Sequence, residues 1–274
     1  SMGMLWTEED VPNFGIRVQN CENVDGDGLE IEWAKPAAPA GSYAPAHKFD
    51  YTLNDSAICS ITNSTLKGGN LKFENCKNVT IQKTNVTGKN NTGVRFFNTT
   101  RTDIMDSFFD VTFNTTSINS TGLSFFNSTN AKVQNTTMKV KNGTGIDIVN
   151  CTGLDIDRVT LNGSGSLFGD GIRAYGWSFG NLTNGNTSGF SSSALNLTRC
   201  SNITARNYGF AKRDAAGSLP KRAGLTGSLN RDLHIDSSRV NVTNATGMKL
   251  DICIRLTIEN SSFMVRNGTA ISFS

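Results

Sequence analysis

Aromatic and charged residues that could together bind a sugar recur through the middle of the sequence. An aromatic ring can pack against the apolar part of a sugar, while carboxylate and guanidinium groups bond to its hydroxyls. We take as candidate ligand-binding residues Arg95, Phe97, Phe126, Asp147, Arg173, Tyr175 and Trp177. Apart from Trp177, we expect their side chains to share one outward surface, for the reasons of spacing given below.

Two carboxylates two residues apart, Asp155 and Asp157, suggest a second kind of chemistry. In a β-strand they would lie on one face about 6.6 Å apart, near the separation of the two carboxyl groups in inverting glycosidases. A solvated acidic face explains the same pair. Asp147 and Arg173 provide another acidic and basic combination. The sequence identifies no catalytic residue, and these four stay candidates.

The sequence lacks the residues that several other classes of function require. There is no phosphate-binding glycine loop, no Cys-x-x-Cys and no Cys/His cluster, so we predict no metal site and no cofactor. The net charge of +3 is spread along the chain without a basic run, which gives no footprint for nucleic acid. No apolar stretch approaches the roughly 18 residues of a membrane span.

The elements that must position the candidates follow an internal repeat. Apolar pairs around one polar residue recur at 23-residue spacing, as in Leu71-Lys72-Phe73 and Val94-Arg95-Phe96. A second apolar pair and a third apolar position follow within each unit. Three short alternating strands per unit do not fit a helical period, and the composition, with 18% charged residues and 27 Gly, argues against helical bundles. The repeat predicts an all-β solenoid of about 10–11 coils of roughly 23 residues.

A column of small residues five positions after each coil start supports this assignment. It contains Cys76, Ser128 and Cys151, and the position before it often contains Asn, which tolerates left-handed backbone and can stack amide on amide. The pattern resembles the pectin-lyase-like superfamily. That resemblance implies a single-stranded right-handed parallel β-helix over residues 16–274, preceded by a tag remnant and capping segment over residues 1–15.

The resemblance implies two functional alternatives. Polysaccharide lyases of this superfamily typically use a calcium-binding carboxylate cluster with an Arg or Lys base, and related hydrolases use Asp pairs on adjacent coils. The expected Gly-His-Gly and Arg-Ile-Lys signatures are absent. We therefore favour a module on a cell or virion surface, outside the cell, that recognises a polysaccharide or cell-surface glycan, similar to adhesins and tailspikes. A lyase or glycoside hydrolase in the same groove is the alternative, with calcium required only for a lyase.

Three insertions between a third strand and the next first strand are expected to wall the candidate surface. They are located at Ala34–Asp50, Thr112–Thr121 and Ala211–Gly224. Solenoid insertions commonly lie on the binding side. The alternative is that an insertion or a neighbouring subunit covers the aromatic residues. Because the sequence stops as a coil begins, we also expect further chain or an oligomer, such as a homotrimer, to cover that end.

The six cysteines are expected to be buried thiols. Five of them share the small-residue column, namely Cys21, Cys76, Cys151, Cys200 and Cys253. No two of these fall in neighbouring coils, so the nearest are about 9.6 Å apart, whereas a disulfide needs Cα atoms within about 7 Å. Cys59 falls in a different column and is expected to be a sixth thiol.

Overall fold

The chain forms a solenoid of stacked parallel strands. The computed structural model describes residues 17–19, 23–32, 50–54, 58–67, 70–89, 93–113, 121–165, 169–212 and 223–273. All regular elements within these residues are β-strands, and all of their pairings are parallel. Each coil contributes a first, a second and a third strand, which recur in that order along the chain.

The three kinds of strand are numbered in chain order. First strands are β1 (Arg17–Gln19), β4 (Asp50–Asn54), β7 (Asn70–Glu74), β10 (Val94–Phe97), β13 (Thr121–Phe126), β16 (Thr144–Val149), β19 (Ile172–Tyr175), β22 (Leu195–Thr198) and β29 (Ile271–Phe273). Second strands are β2 (Asn23–Asp27), β5 (Ile58–Thr62), β8 (Asn78–Gln82), β11 (Thr100–Met105), β14 (Thr129–Gln134), β17 (Asp155–Asp157), β20 (Ser178–Thr183) and β23 (Ser201–Arg206). β25 (Leu225–Asp236) and β27 (Met248–Glu259) are long strands that span both positions. Third strands are β3 (Glu30–Glu32), β6 (Thr65–Lys67), β9 (Asn85–Lys89), β12 (Phe108–Thr112), β15 (Thr137–Lys141), β18 (Thr160–Ser164), β21 (Asn186–Phe190), β24 (Gly209–Lys212), β26 (Arg239–Thr243) and β28 (Ser262–Arg266).

The register confirms the repeat read from the sequence. Leu71 pairs with Val94 and Met248 pairs with Ile271, each 23 residues along the chain. First and second strands form one sheet of 19 strands, and the third strands form a sheet of ten. The predicted all-β parallel solenoid with coils of about 23 residues is therefore the observed fold.

Alternation along each strand separates the core from the surface. Phe73, Phe96 and Phe125 face inward with 2% or less of their surface exposed, and their rings stack at centroid distances of 5.3 and 4.7 Å. Because consecutive coils place these residues directly over one another, burial is shared between coils. Each coil thus depends on the coils above and below it for a closed apolar interior.

Asparagine at the first bend behaves as predicted. Asn75, Asn98, Asn127 and Asn150 have φ between 48° and 55°, the left-handed region in which Asn is favoured. The Asn98 amide nitrogen donates to the Asn75 amide oxygen at 3.0 Å, as expected for an amide ladder. In later coils the same position is occupied by other residues, among them Arg199 with φ 54°.

The cysteine prediction is confirmed in part. Cys76, Cys151 and Cys200 are buried in the small-residue column, and burial raises the pKa of the Cys151 and Cys200 thiols to about 11. Cys253 is only half-buried, because the last described strand, β29, pairs with Met248, Lys249 and Leu250 and does not extend over it. The Sγ atoms of Cys59 and Cys76 are 3.5 Å apart across neighbouring coils. The column argument did not anticipate this contact, since the two residues belong to different columns.

Some predictions fall on residues outside the described part of the chain. These include the segment 1–15, Cys21 and the interiors of the three insertions at 33–49, 114–120 and 213–222. The insertions do connect a third strand to the next first strand, as β12 leads to β13. Whether they wall the candidate surface, and whether a domain or subunit covers the last coil, stay predictions.

Candidate functional site

The outward side chains of the first strands form two columns, which we call the first-strand face. In the inner column, Arg95 pairs with Ser124, Ser124 with Asp147, and Asp147 with Arg173. In the outer column, the order is Phe97, Phe126, Val149, Tyr175. The register therefore brings six of the seven candidate ligand-binding residues onto one continuous surface. Neighbouring residues in a column are about 4.8 Å apart.

The aromatic residues of the face form two separate groups. The rings of Phe97 and Phe126 stack at 5.0 Å with an interplanar angle of 4°, and both residues are half-buried. Val149 separates this pair from Tyr175, which is 40% exposed. Each phenylalanine ring stacks one of its faces on the other ring, so that face is closed to a ligand. Ring edges carry partial positive charge and favour oxygen acceptors.

Tyr175 is held by a residue that sequence reasoning missed. Arg199 Nη1 donates to Tyr175 Oη at 2.7 Å, and the guanidinium carbon lies 5.6 Å from the ring centroid. Arg199 occupies the bend position that is Asn in several earlier coils of the chain. This departure from the Asn column was the signal in the sequence that could have identified it. The contact fixes the ring and leaves the phenol hydrogen available to an external acceptor.

Asp147 and Arg173 form an ion pair within the inner column. Arg173 Nε lies 2.8 Å from Asp147 Oδ1, and both side chains are largely shielded from solvent. The hydrogen bond to Asp147 raises the pKa of Arg173, assisted by the charges of Asp147 and Asp170 and opposed by desolvation. The two groups therefore neutralise each other at the surface.

A buried carboxylate supports this part of the face from below. Asp170, only 6% exposed, accepts hydrogen bonds from the Ser193 backbone N–H at 3.0 Å and from the Asn196 amide at 3.1 Å. In the sequence it stands in a Gly-Asp-Gly string that reads as an ordinary turn. Its role in fixing Asn196 beside Arg173 becomes evident only when neighbouring coils are stacked.

The prediction that Trp177 binds ligand is wrong. Its side chain is fully buried at the bend after β19, with 0% of its surface exposed. Its ring occupies space left by Gly180, where a Cβ atom would lie 2.0 Å from the Trp177 ring. A residue enclosed in this way cannot contact a ligand on the first-strand face, and we exclude it from the site.

Asp155 and Asp157 share the outward face of β17, as expected, but both are bound by neighbouring side chains. Asp155 accepts from the Asn181 amide at 2.6 Å. Asp157 accepts from Thr183 at 2.8 Å, from Asn184 at 3.0 Å and from Arg158 at 3.0 Å. Desolvation opposes ionisation, but these bonds and the Arg158 charge together lower the pKa of Asp157 below 3.8. A general acid requires the opposite shift.

Replacing Asp157 by asparagine tests this assignment through the pH dependence of stability. Its folded-state pKa is lower than its unfolded value, so ionised Asp157 stabilises the fold above the unfolded value and this contribution is lost as the pH falls through the folded value. We expect Asp157→Asn to reduce the free energy of unfolding by about 1 kcal/mol at pH 7. The deficit should shrink below pH 3.8, as measured by urea unfolding at several pH values. A deficit independent of pH would contradict the assignment.

Neither metal-binding clusters nor membrane-crossing helices are found in the described ranges. No group of three or more His, Cys, Asp or Glu side chains is placed there to hold a metal ion. No helix in that part of the chain has the length and apolar character needed to cross a membrane.

Comparisons with known proteins give similarity in shape alone. No protein-family model and no curated protein matches the sequence. The Dettilon tailspike protein (gp208) is 11% identical with a TM-score of 0.45, over 94% of this chain and 62% of that chain. PfbA, a surface adhesin of Streptococcus pneumoniae, is 11% identical with a TM-score of 0.46, over 82% of this chain and 63% of that chain. This chain thus spans less than two thirds of each of these two solved chains. At these values the similarities assign neither a family nor a function to it.

Proposed function

We propose that this chain is a surface module, acting outside the cell or on a virion, that binds glycan along the first-strand face. The observation that carries the proposal is the stacked pair of Phe97 and Phe126, with Tyr175 two strands further on, on an outward face. Outward aromatic side chains grouped on one surface, rather than scattered singly, commonly mark a contact. Guanidinium and carboxylate groups beside the rings match the hydroxyl groups of a sugar.

A second candidate function, a polysaccharide lyase or glycoside hydrolase, uses the same face. It is favoured by the proximity of Asp147, Arg173 and Tyr175, which places an acidic, a basic and a phenolic group on two neighbouring strands. An enzyme needs such groups within hydrogen-bonding reach of one linkage. A binding module needs only a surface that is complementary to the sugar.

Screening on an array of defined oligosaccharides, followed by product analysis of every bound sugar, tests both functions. We expect binding without cleavage, and we expect Phe126→Ala and Tyr175→Ala each to weaken it at least about tenfold, the effect of losing an aromatic contact with its buried area. Phe108→Ala is the matched control, because Phe108 is a half-buried outward phenylalanine on the third-strand side, on β12.

The outcomes separate the alternatives. Release of unsaturated or reducing-end products would favour the enzyme over the binding module. Undiminished binding by both Phe126→Ala and Tyr175→Ala would rule out the first-strand face as the binding site.

A further inference from the structure

The charges on the first-strand face differ in whether they are neutralised. Lys72 lies 2.6 Å from Glu74, and Arg173 lies 2.8 Å from Asp147, so each of these cations has a carboxylate partner within the protein. Such pairs present little net charge to a ligand.

Arg95 is different. It is an exposed residue of β10, and among the described residues no carboxylate forms an ion pair with it. It lies two residues before Phe97, on the same face and about 6.6 Å away along the strand. Its side chain therefore projects from the same face as the stacked rings, and no carboxylate of the described residues neutralises its charge.

Arg199 is a second cation beside an aromatic side chain of the face, in this case Tyr175. Its guanidinium contacts the hydroxyl and the ring of Tyr175, and no carboxylate in the described ranges forms an ion pair with it. It is exposed and has φ 54°, a backbone conformation in which Arg costs more than the Asn found in lower coils.

From these observations we infer that the glycan is acidic, and that Arg95 and Arg199 bind its carboxylate or sulfate groups. The inference rests on the glycan-binding function proposed above and specifies the class of ligand. Each guanidinium offers paired N–H donors that match a planar or tetrahedral anion. The edges of Phe97 and Phe126 add weak positive potential beside the first of them.

The spacing of the two arginines sets the size of the ligand. Arg95 is on β10, and Arg199 directly follows β22, four strand steps further along the solenoid. At about 4.8 Å per step the two positions are separated by roughly 19 Å along the axis. A single sugar cannot span this distance, so the ligand is an oligomer with at least two acidic groups.

The test compares acidic glycans with matched neutral forms of the same polymers. Alginate oligosaccharides are compared with their methyl esters, and dextran sulfate oligosaccharides with dextran, by isothermal titration in a chelator-containing buffer. We expect the acidic member of one pair to bind and its neutral form to bind at least about tenfold more weakly. The pair that responds distinguishes carboxylate from sulfate.

Substitutions of the two arginines test whether they cause the preference for the acidic form. Arg95→Gln and Arg199→Gln should each weaken binding of the acidic form about tenfold more than they weaken binding of the neutral form, because the neutral form keeps only the hydroxyl and ring contacts. Arg239→Gln is the matched control, since Arg239 is an exposed arginine at the start of β26, on the sheet of third strands, and should have no effect.

The results separate this inference from the proposed function. Equal affinity for acidic and neutral forms, with loss of both in Phe126→Ala, would overturn the acidic class and leave glycan binding standing. Loss of acidic binding in Arg239→Gln as well as in the two face variants would show non-specific attraction and also overturn it. No binding of any glycan would remove the proposed function itself.

Discussion

Replacing Phe96 by alanine is expected to lower the free energy of unfolding by roughly 3–5 kcal/mol. Phe96 has 0% of its surface exposed and lies in the middle of the inward stack, between Phe73 and Phe125. Alanine removes both ring contacts and leaves a cavity shared by three coils. Because coils are stable only against their neighbours, the interior cannot close around that cavity without disturbing the register on both sides.

The neighbouring Phe97 provides a control of the same residue type. It points outward on the same strand and stacks on Phe126. Phe97→Ala should cost no more than about 1 kcal/mol in stability and should instead reduce glycan binding. Urea unfolding followed by circular dichroism measures the first effect, and oligosaccharide titration the second. A similar loss of stability in both variants would mean that the inward and outward assignments are wrong.

Trp177 and Gly180 are expected to show strong energetic coupling. In this coil the large side chain is at the bend and the small residue is at the core position, the reverse of the coil below. In the coil below, Cys151 fills the bend and Leu154 the core position three residues later, and both are buried. In the coil of Trp177 the large ring lies at the bend and glycine at the core position. A Cβ on Gly180 would come within 2.0 Å of the ring, closer than any real contact.

Each single change should therefore be costly. Gly180→Leu forces the buried ring to move, and we expect a loss of at least about 1–3 kcal/mol from overpacking. Trp177→Cys leaves a cavity and should cost roughly 3–5 kcal/mol. The double variant reproduces the pattern of Cys151 and Leu154, so its loss should be smaller than the sum of the two by about 2 kcal/mol or more.

A double-mutant cycle measured by urea unfolding checks this expectation. Additive losses would show that the tryptophan and the glycine are independent, and that some other feature of this coil admits the large ring. The same cycle also reports on the unpartnered indole nitrogen, since Trp177 Nε1 has no hydrogen-bond partner among the described residues. Removing it eliminates a buried unsatisfied donor, which offsets part of the cavity cost.

The sequence by itself determined the fold and the composition of the first-strand face. A period of about 23 residues and strict alternation sufficed to place Arg95, Ser124, Asp147 and Arg173 in one column, because strand pairing aligns equivalent positions of successive coils. The same alternation predicted that Phe97 and Phe126 point outward.

Only the tertiary structure decided what happens at the bends and which charges are neutralised. Trp177 turns inward because Gly180 leaves space for it, Arg199 reaches back to Tyr175, and the Asp157 donors come from the next coil as well as its own. Strand positions repeat by the geometry of the backbone, so a column can be read from spacing. A side chain at a bend has no such constraint, and its direction depends on the volumes and donors offered by the coils packed against it.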